Sequence, residues 1–264
     1  MKDFTLPTYK QLLLILKTQG YSFQPLELFF NEPKSQKVVI LRHDVDKHPR
    51  KALKMAVLEN TLGVRASYYF RAVKSVFDED IIKQIILLDH EIGYHYENMD
   101  SCSGNVDFAL KEFTENLAKF NSLYPIRTIC MHGSPLSKWD NRALWNNFDY
   151  KEYGIIAEPY FDLDFDEVLY LTDTGRRWDG HNIVIRDKVE GSGGKTLSDN
   201  SAEPKLRLRN TRDIIEVGNK GSLPDKIMLN VHPQRWNDRF GPWLNELIFQ
   251  NLKNVVKRVV VSLQ

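Results

Sequence analysis

The sequence predicts an α/β protein built on a mainly parallel sheet, open or closed into a barrel. Two observations predict it. Short runs of branched and aromatic residues alternate with amphipathic stretches along most of the chain, and ionisable side chains stand at the C-terminal end of one such run after another, where parallel folds bind their ligands. With 264 residues, 42% of them hydrophobic, the chain can bury a full core, and it reads as one domain over 1–264.

The elements follow in order. Leu12 to Leu16, flanked by Lys10 and Lys17, suits an amphipathic N-terminal helix. The run is too short to cross a bilayer and lacks the length and cleavage site of a signal peptide, so no membrane insertion and a cytoplasmic location are expected. Val38 to Leu41 is a buried strand, and Pro49 opens a helix that Gly63 closes. Val64 to Arg71 is a second strand. Ile81, Ile82, Ile85 and Leu88 share one helical face, with acidic residues in the first turn where the helix dipole favours them. Glu91 to Glu97 is a third strand. Leu110, Phe113, Leu117 and Phe120 mark another helix, and Arg127 to Gly133 another strand.

From Trp139 to Asn210 the periodicity weakens, and Gly191 to Lys205 is a polar, glycine-rich loop. Asn210 caps a short helix, Asp225 to Pro233 contains a late strand, and a terminal helix is expected to turn Leu244, Leu247, Ile248, Leu252, Val255 and Val256 inward. The net charge of +1 supplies no general field for nucleic acid or an anionic membrane, and the basic run Lys205 to Arg212 is a solvated patch. Cys102 and Cys130 lack metal-ligand spacing and read as reduced thiols.

Chemistry gathers at the strand ends. His43, Asp44 and Asp46 end the first strand, His95 and Glu97 the third, His132 the next and His232 the last. One such histidine alone is ordinarily a hydrogen-bonded structural residue; several around one mouth, beside two carboxylates, point to a site. Asp44 and Asp46 share a face in an extended strand and diverge around a turn, one gripping a metal and one free. His43 is expected to point away from Asp44, and His48 beside Pro49 has only a capping or substrate-edge role. Imidazoles with a carboxylate suit a divalent metal such as zinc, and a second carboxylate with another histidine supplies general base and acid. That set describes hydrolysis of an amide or ester.

At these residues the sequence resembles the polysaccharide deacetylase family, also called the NodB-homology or carbohydrate esterase family 4 proteins, from about Val38 to Pro233. "HDVD" is similar to the family's paired acids, "ASYYF" (Ala66 to Phe70) to its next strand, "HEIGYHYE" to its histidine motif, and "MLNVHP" to its last motif. The resemblance implies a deformed, seven-stranded (β/α) barrel of NodB-homology type, with Asp44 as base, Asp46 and His95 as metal ligands and His232 as general acid. It implies Trp178 as a sugar-stacking wall, with Asp179 or Arg176 as polar partner. Two departures stand out. Met99 occupies the place of the second motif histidine, so His132 or Glu97 replaces that ligand or the metal is weakly held or absent. "CMHGSP" (Cys130 to Pro135), with His132 in it, stands where the family has a substrate-contacting motif.

The expectation is a divergent branch resembling deacetylase-like proteins of surface-polysaccharide and O-antigen biosynthesis. Its activity would be metal-dependent removal of an N-acyl group, above all acetyl, from an amino sugar in a glycan precursor or polysaccharide. The alternatives are hydrolysis of another carbon–nitrogen amide bond, non-acetyl or cyclic, and a metal-free sugar-binding protein that kept the barrel.

Overall fold

A computed structural model of the chain describes residues 2–31, 36–134, 137–178 and 208–262. Helix α1 (Leu6–Thr18) starts at Thr5, whose side chain accepts the Thr8 amide, and buries Tyr9, Leu12, Leu13 and Leu16. A three-residue strand, β1 (Ser22–Gln24), and a short helix, α2 (Leu26–Asn31), follow; β1 has only one apolar residue and left no readable signal. Strand β2 (Val38–Val45) is buried at every position and runs beyond the expected Leu41, taking Arg42, His43 and Asp44 into the sheet. Helix α3 (Pro49–Thr61) begins with Pro49 after His48, which sits in the left-handed region at φ 56°.

Strand β3 (Ser67–Phe70) is shorter than its apolar run. Helix α4 (Glu79–Leu87) is capped by Asp78, and β4 spans Glu91–Tyr96. A single turn, α5 (Asn98–Ser101), and helix α6 (Val106–Asn121) lead to β5 (Ile129–Met131). Next come α7 (Pro159–Asp162) and β6 (Leu169–Thr172). Helix α8 (Thr211–Asn219) has a full capping box from Asn210 and Asp213, β7 is Lys226–Val231, and α9 is Phe240–Ser262. The glycine-rich loop, Asp179 and residues Lys205 to Arg207 lie outside the described residues.

Every ladder is parallel. The seven strands run in the order β5, β4, β3, β2, β7, β6, with β1 beside the N-terminal half of β2, in a sheet that curls into a half-barrel flanked by helices. Among the described residues no ladder joins β5 to β6. The order reverses at β2, which has β3 on one side and β7 on the other; the C-terminal end of such a strand is where open parallel sheets form their crevice. Val39, Leu41 and Val45 pack into one core with α1, α3, α4 and α6, while Val38 and Ile40 face Tyr69, Cys130, Tyr170 and Met228 in a second. No helix among the described residues is long and apolar enough to cross a membrane.

The terminal helix departs from expectation. Ile248, Leu252 and Val255 are 51%, 62% and 59% exposed, whereas Gln250 and Asn254 are buried. Asn254 donates to the Gly175 carbonyl at 2.9 Å, so the polar face of the helix is the one turned to the protein. Leu244 and Leu247 are partly buried, and the side chain of Val256 is not described.

Gly93 on β4 marks where the sheet is tightest. A Cβ there would lie 2.3 Å from the Tyr69 ring and 3.0 Å from the Thr128 carbonyl. Gly93→Ala should therefore lower stability by about 2 kcal/mol or more, read as a fall in the urea midpoint at unchanged slope.

Candidate functional site

The site lies where β2 ends. Arg42 and Asp44 point to the same face, two residues apart, and pair with each other: Nε to Oδ1 and Nη2 to Oδ2, both at 2.7 Å. Asn230 on β7 donates to the same Oδ2 at 3.0 Å and to Tyr170 Oη at 3.0 Å. Burial opposes the charge on Asp44, but Arg42, with His95 and His232, outweighs it and holds the carboxyl well below the usual range. His43 points the other way, as expected. Its Nε2 lies 2.7 Å from Glu59, a fully buried carboxylate that also accepts from Tyr9 and Tyr68.

Past the end of the strand, the Asp46 amide donates to the Asp44 carbonyl at 3.1 Å, and this turn separates the two acids. Asp46 Oδ1 is 3.4 Å from His95 Nε2 and 3.6 Å from His132 Nε2. The three side chains form one group with donor atoms within 4.8 Å of one another. Burial opposes ionisation of Asp46, but His95 and His132 keep it well below the ordinary value.

Both imidazoles have their other nitrogen engaged. His95 Nδ1 lies 2.9 Å from the Cys130 carbonyl, which can only accept, so Nδ1 carries a hydrogen and Nε2 is the nitrogen turned to Asp46. His132 Nδ1 is 3.0 Å from Glu97 Oε2, and Glu97 is itself gripped by Arg71 at 3.0 and 2.7 Å. Burial would raise the Glu97 carboxyl, but His132 and Arg71 bring it down to about 2. His132 answers in kind: burial disfavours its charge, and Glu97 with Asp46 still raises it above 6.5. Glu97 thus lies against His132 Nδ1 as its charge partner, although that nitrogen is buried without a formed hydrogen bond. Met99 is buried in α5, with His132 coming from the adjacent strand.

A divalent ion fits these donors. Asp46 Oδ1 is buried with no hydrogen-bond partner, and two imidazole Nε2 atoms, each able to ligate when deprotonated, face it. A second group, Asp44, His95 and Cys130, also converges within 4.8 Å, but Arg42 and Asn230 already occupy both oxygens of Asp44.

His232 closes the mouth. Its Nε2 is 3.9 Å from Asp44 Oδ2 and 4.0 Å from Asp46 Oδ2, and its Nδ1 is 2.7 Å from Asp173 Oδ1. Asp173, at the end of β6, also accepts from Arg235, the Trp236 indole and the His232 amide, and these partners overcome its burial to keep it below the ordinary value. It was missed in the sequence, although its place at a strand end matches the pattern that marked the others. Arg42 and Asn230 inside strands carried no comparable signal.

The remaining expectations need correction. Trp178 is 1% exposed, stacked 6.5 Å from Phe4, tilted 6.3 Å from Trp236, and its indole donates to Thr211; it is a core residue with no free face for a sugar. Arg176 stacks over Phe4 and Trp243 in a groove against α9, apart from the histidine cluster.

Glu158 anchors the strand bearing His132. It accepts the Met131 amide at 3.1 Å and the Tyr160 amide at 2.6 Å, and complete burial pushes its carboxyl from 4.5 up to about 7 despite those amides. The folded protein therefore keeps a proton that the unfolded chain has released. Its contribution to stability is full below about pH 4.5 and is lost as pH rises through 7, roughly 3 kcal/mol in all. Urea unfolding of Glu158→Gln across pH 5 to 8 should show a correspondingly flatter profile than wild type.

No family model matches the chain, and no curated protein matches it. Solved structures of CE4 proteins do. The chain is similar to a CE4-family pseudoenzyme from Bacillus anthracis, at 11% identity and TM-score 0.45 over 86% of this chain, and it spans 63% of that chain's length. It is similar to a Streptococcus mutans CE4 esterase, at 14% identity and TM-score 0.46 over 91% of this chain and 90% of the other. A third likeness is to the CE4 domain of a xylanase from the hindgut metagenome of Trinervitermes trinervoides, at 11% identity and TM-score 0.40 over 83% and 84% of the two chains.

Proposed function

We propose that the protein is a divalent-metal-dependent hydrolase that removes an N-acyl group, acetyl before others, from an amino sugar of a glycan precursor or polysaccharide. The observation that carries the reading is the unpartnered Asp46 Oδ1 faced by the Nε2 atoms of His95 and His132, with Asp44 and the His232–Asp173 pair beside it. Asp46, His95 and His132 would hold the ion, with zinc matching the nitrogen and oxygen donor set. Such an ion acidifies a bound water and polarises a carbonyl oxygen.

The chain's own groups divide the rest of the work. Asp44, held by Arg42 and Asn230, takes the proton from the attacking water. His232, its Nδ1 directed at Asp173, hands a proton from Nε2 to the departing amine. Arg42 holds the Asp44 carboxyl well below the usual range against its burial, so it is present as the carboxylate that a base must be. Glu97 and Arg71 keep the His132 ring in register.

The experiment is metal analysis paired with hydrolysis of N-acetylated amino sugars. Asp46→Ala and His132→Ala should each weaken zinc binding at least tenfold. Asp44→Asn should keep the ion and lose a factor of about 10² to 10⁴ in turnover. Undiminished turnover in Asp44→Asn would remove it as the base. Turnover of cyclic amides alone would replace the sugar substrate, and wild-type protein that binds sugar but no ion would make the chain a binding module.

A further inference from the structure

Asp46 is gripped from a segment outside the strand-end pattern. Pro233–Arg235 forms one 3-10 turn directly after β7, and Gln234 Nε2 donates to Asp46 Oδ2 at 2.8 Å. Lys51, in the first turn of α3, donates to the Gln234 carbonyl at 2.8 Å and to Asn237 Oδ1 at 2.6 Å. The turn after β7 is thereby tied to the helix that follows Asp46. A carboxylate oxygen only accepts, so the amide end of Gln234 that faces Asp46 is its NH₂. Its Oε1 is consequently turned away, and it is buried without a donor. With Oδ2 engaged, Asp46 has Oδ1 alone to offer the two histidines.

We infer that Gln234 is a positioning residue for the metal centre: held by Lys51, it commits Oδ2 and makes Asp46 a single-oxygen ligand aimed between His95 and His132. The inference rests on the metal reading given above. A carboxylate free to rotate would present either or both oxygens to an ion, and the other oxygen lies 4.0 Å from His232 Nε2. Holding Oδ2 beside His232 therefore leaves Oδ1 as the oxygen that faces His95 and His132. Partners that orient a metal ligand in this way typically contribute 10- to 100-fold in affinity.

The test uses the whole chain stripped of metal, titrated with zinc against a chromophoric chelator and with cobalt(II) followed by visible absorption. Gln234→Leu, close in size but unable to donate, should bind zinc 10- to 100-fold more weakly and change the cobalt spectrum, with the apo melting temperature nearly unchanged. Lys51→Met should shift affinity and spectrum in the same direction by a smaller factor, and it carries the test if the leucine variant does not fold. Zinc affinity within twofold of wild type and an unaltered cobalt spectrum in both variants would overturn the inference alone. Wild-type protein that binds neither ion would overturn it together with the metal reading.

Discussion

Everything at the mouth of the sheet depends on how β2 disposes of its charges. A strand buried at all eight positions carries Arg42, His43 and Asp44 in succession, and an ion left unpaired in such a place costs several kcal/mol. The alternation of a strand sends Arg42 and Asp44 to one face and His43 to the other. The first two neutralise each other, and His43 meets Glu59, two tyrosines closing that cluster. Because the inner carboxylate is already satisfied, the outer one, Asp46, is left as the acid that faces the histidines. The division of labour between two acids two residues apart is therefore set beneath the site, by a guanidinium on the same strand.

Much of this was legible in the residues. Alternating branched and amphipathic runs placed five of the seven strands, and the order of acids and histidines at their ends brought out Asp44, Asp46, His95, His132 and His232. What escaped had physical reasons. Strand β1 is three residues long with one apolar side chain, too short for a periodic pattern to mark it. The terminal helix carries an apolar stripe that a periodicity argument turns inward, yet it buries Gln250 and Asn254, the latter bonded to the Gly175 carbonyl, and leaves the stripe exposed. Trp178, which the resemblance implied as a sugar-stacking wall, is enclosed by Phe4 and Trp236, residues from opposite ends of the chain. Asp173, Asn230 and Gln234 act through geometry between distant segments, which one-dimensional spacing does not encode.

The departure at Met99 has a structural answer. The turn that bears it packs Met99 into the core. The imidazole comes instead from His132, at the end of the neighbouring strand, where Glu97 and Arg71 form a brace behind it. His132 is placed by a ladder register, Tyr96 opposite Met131. The position is then as rigid as the sheet, and Glu158 reinforces it from beyond the edge.

The arrangement also dictates an order of assembly. Asp46, His95 and His132 all lie in the first half of the chain, on strands that pair in sequence order, so their cluster can form from neighbouring hairpin-like β/α units. Their supports arrive late: Asn230 reaches Asp44 across 186 residues, and Gln234 reaches Asp46 across 188. Closing such long loops is slow relative to local pairing, and β7 must insert beside β2 before β6 has a strand to join. During synthesis from the N-terminus, the donors emerge well before the segment that sets their final geometry. Docking of β7 is thus the folding event that converts a loose set of side chains into a finished site.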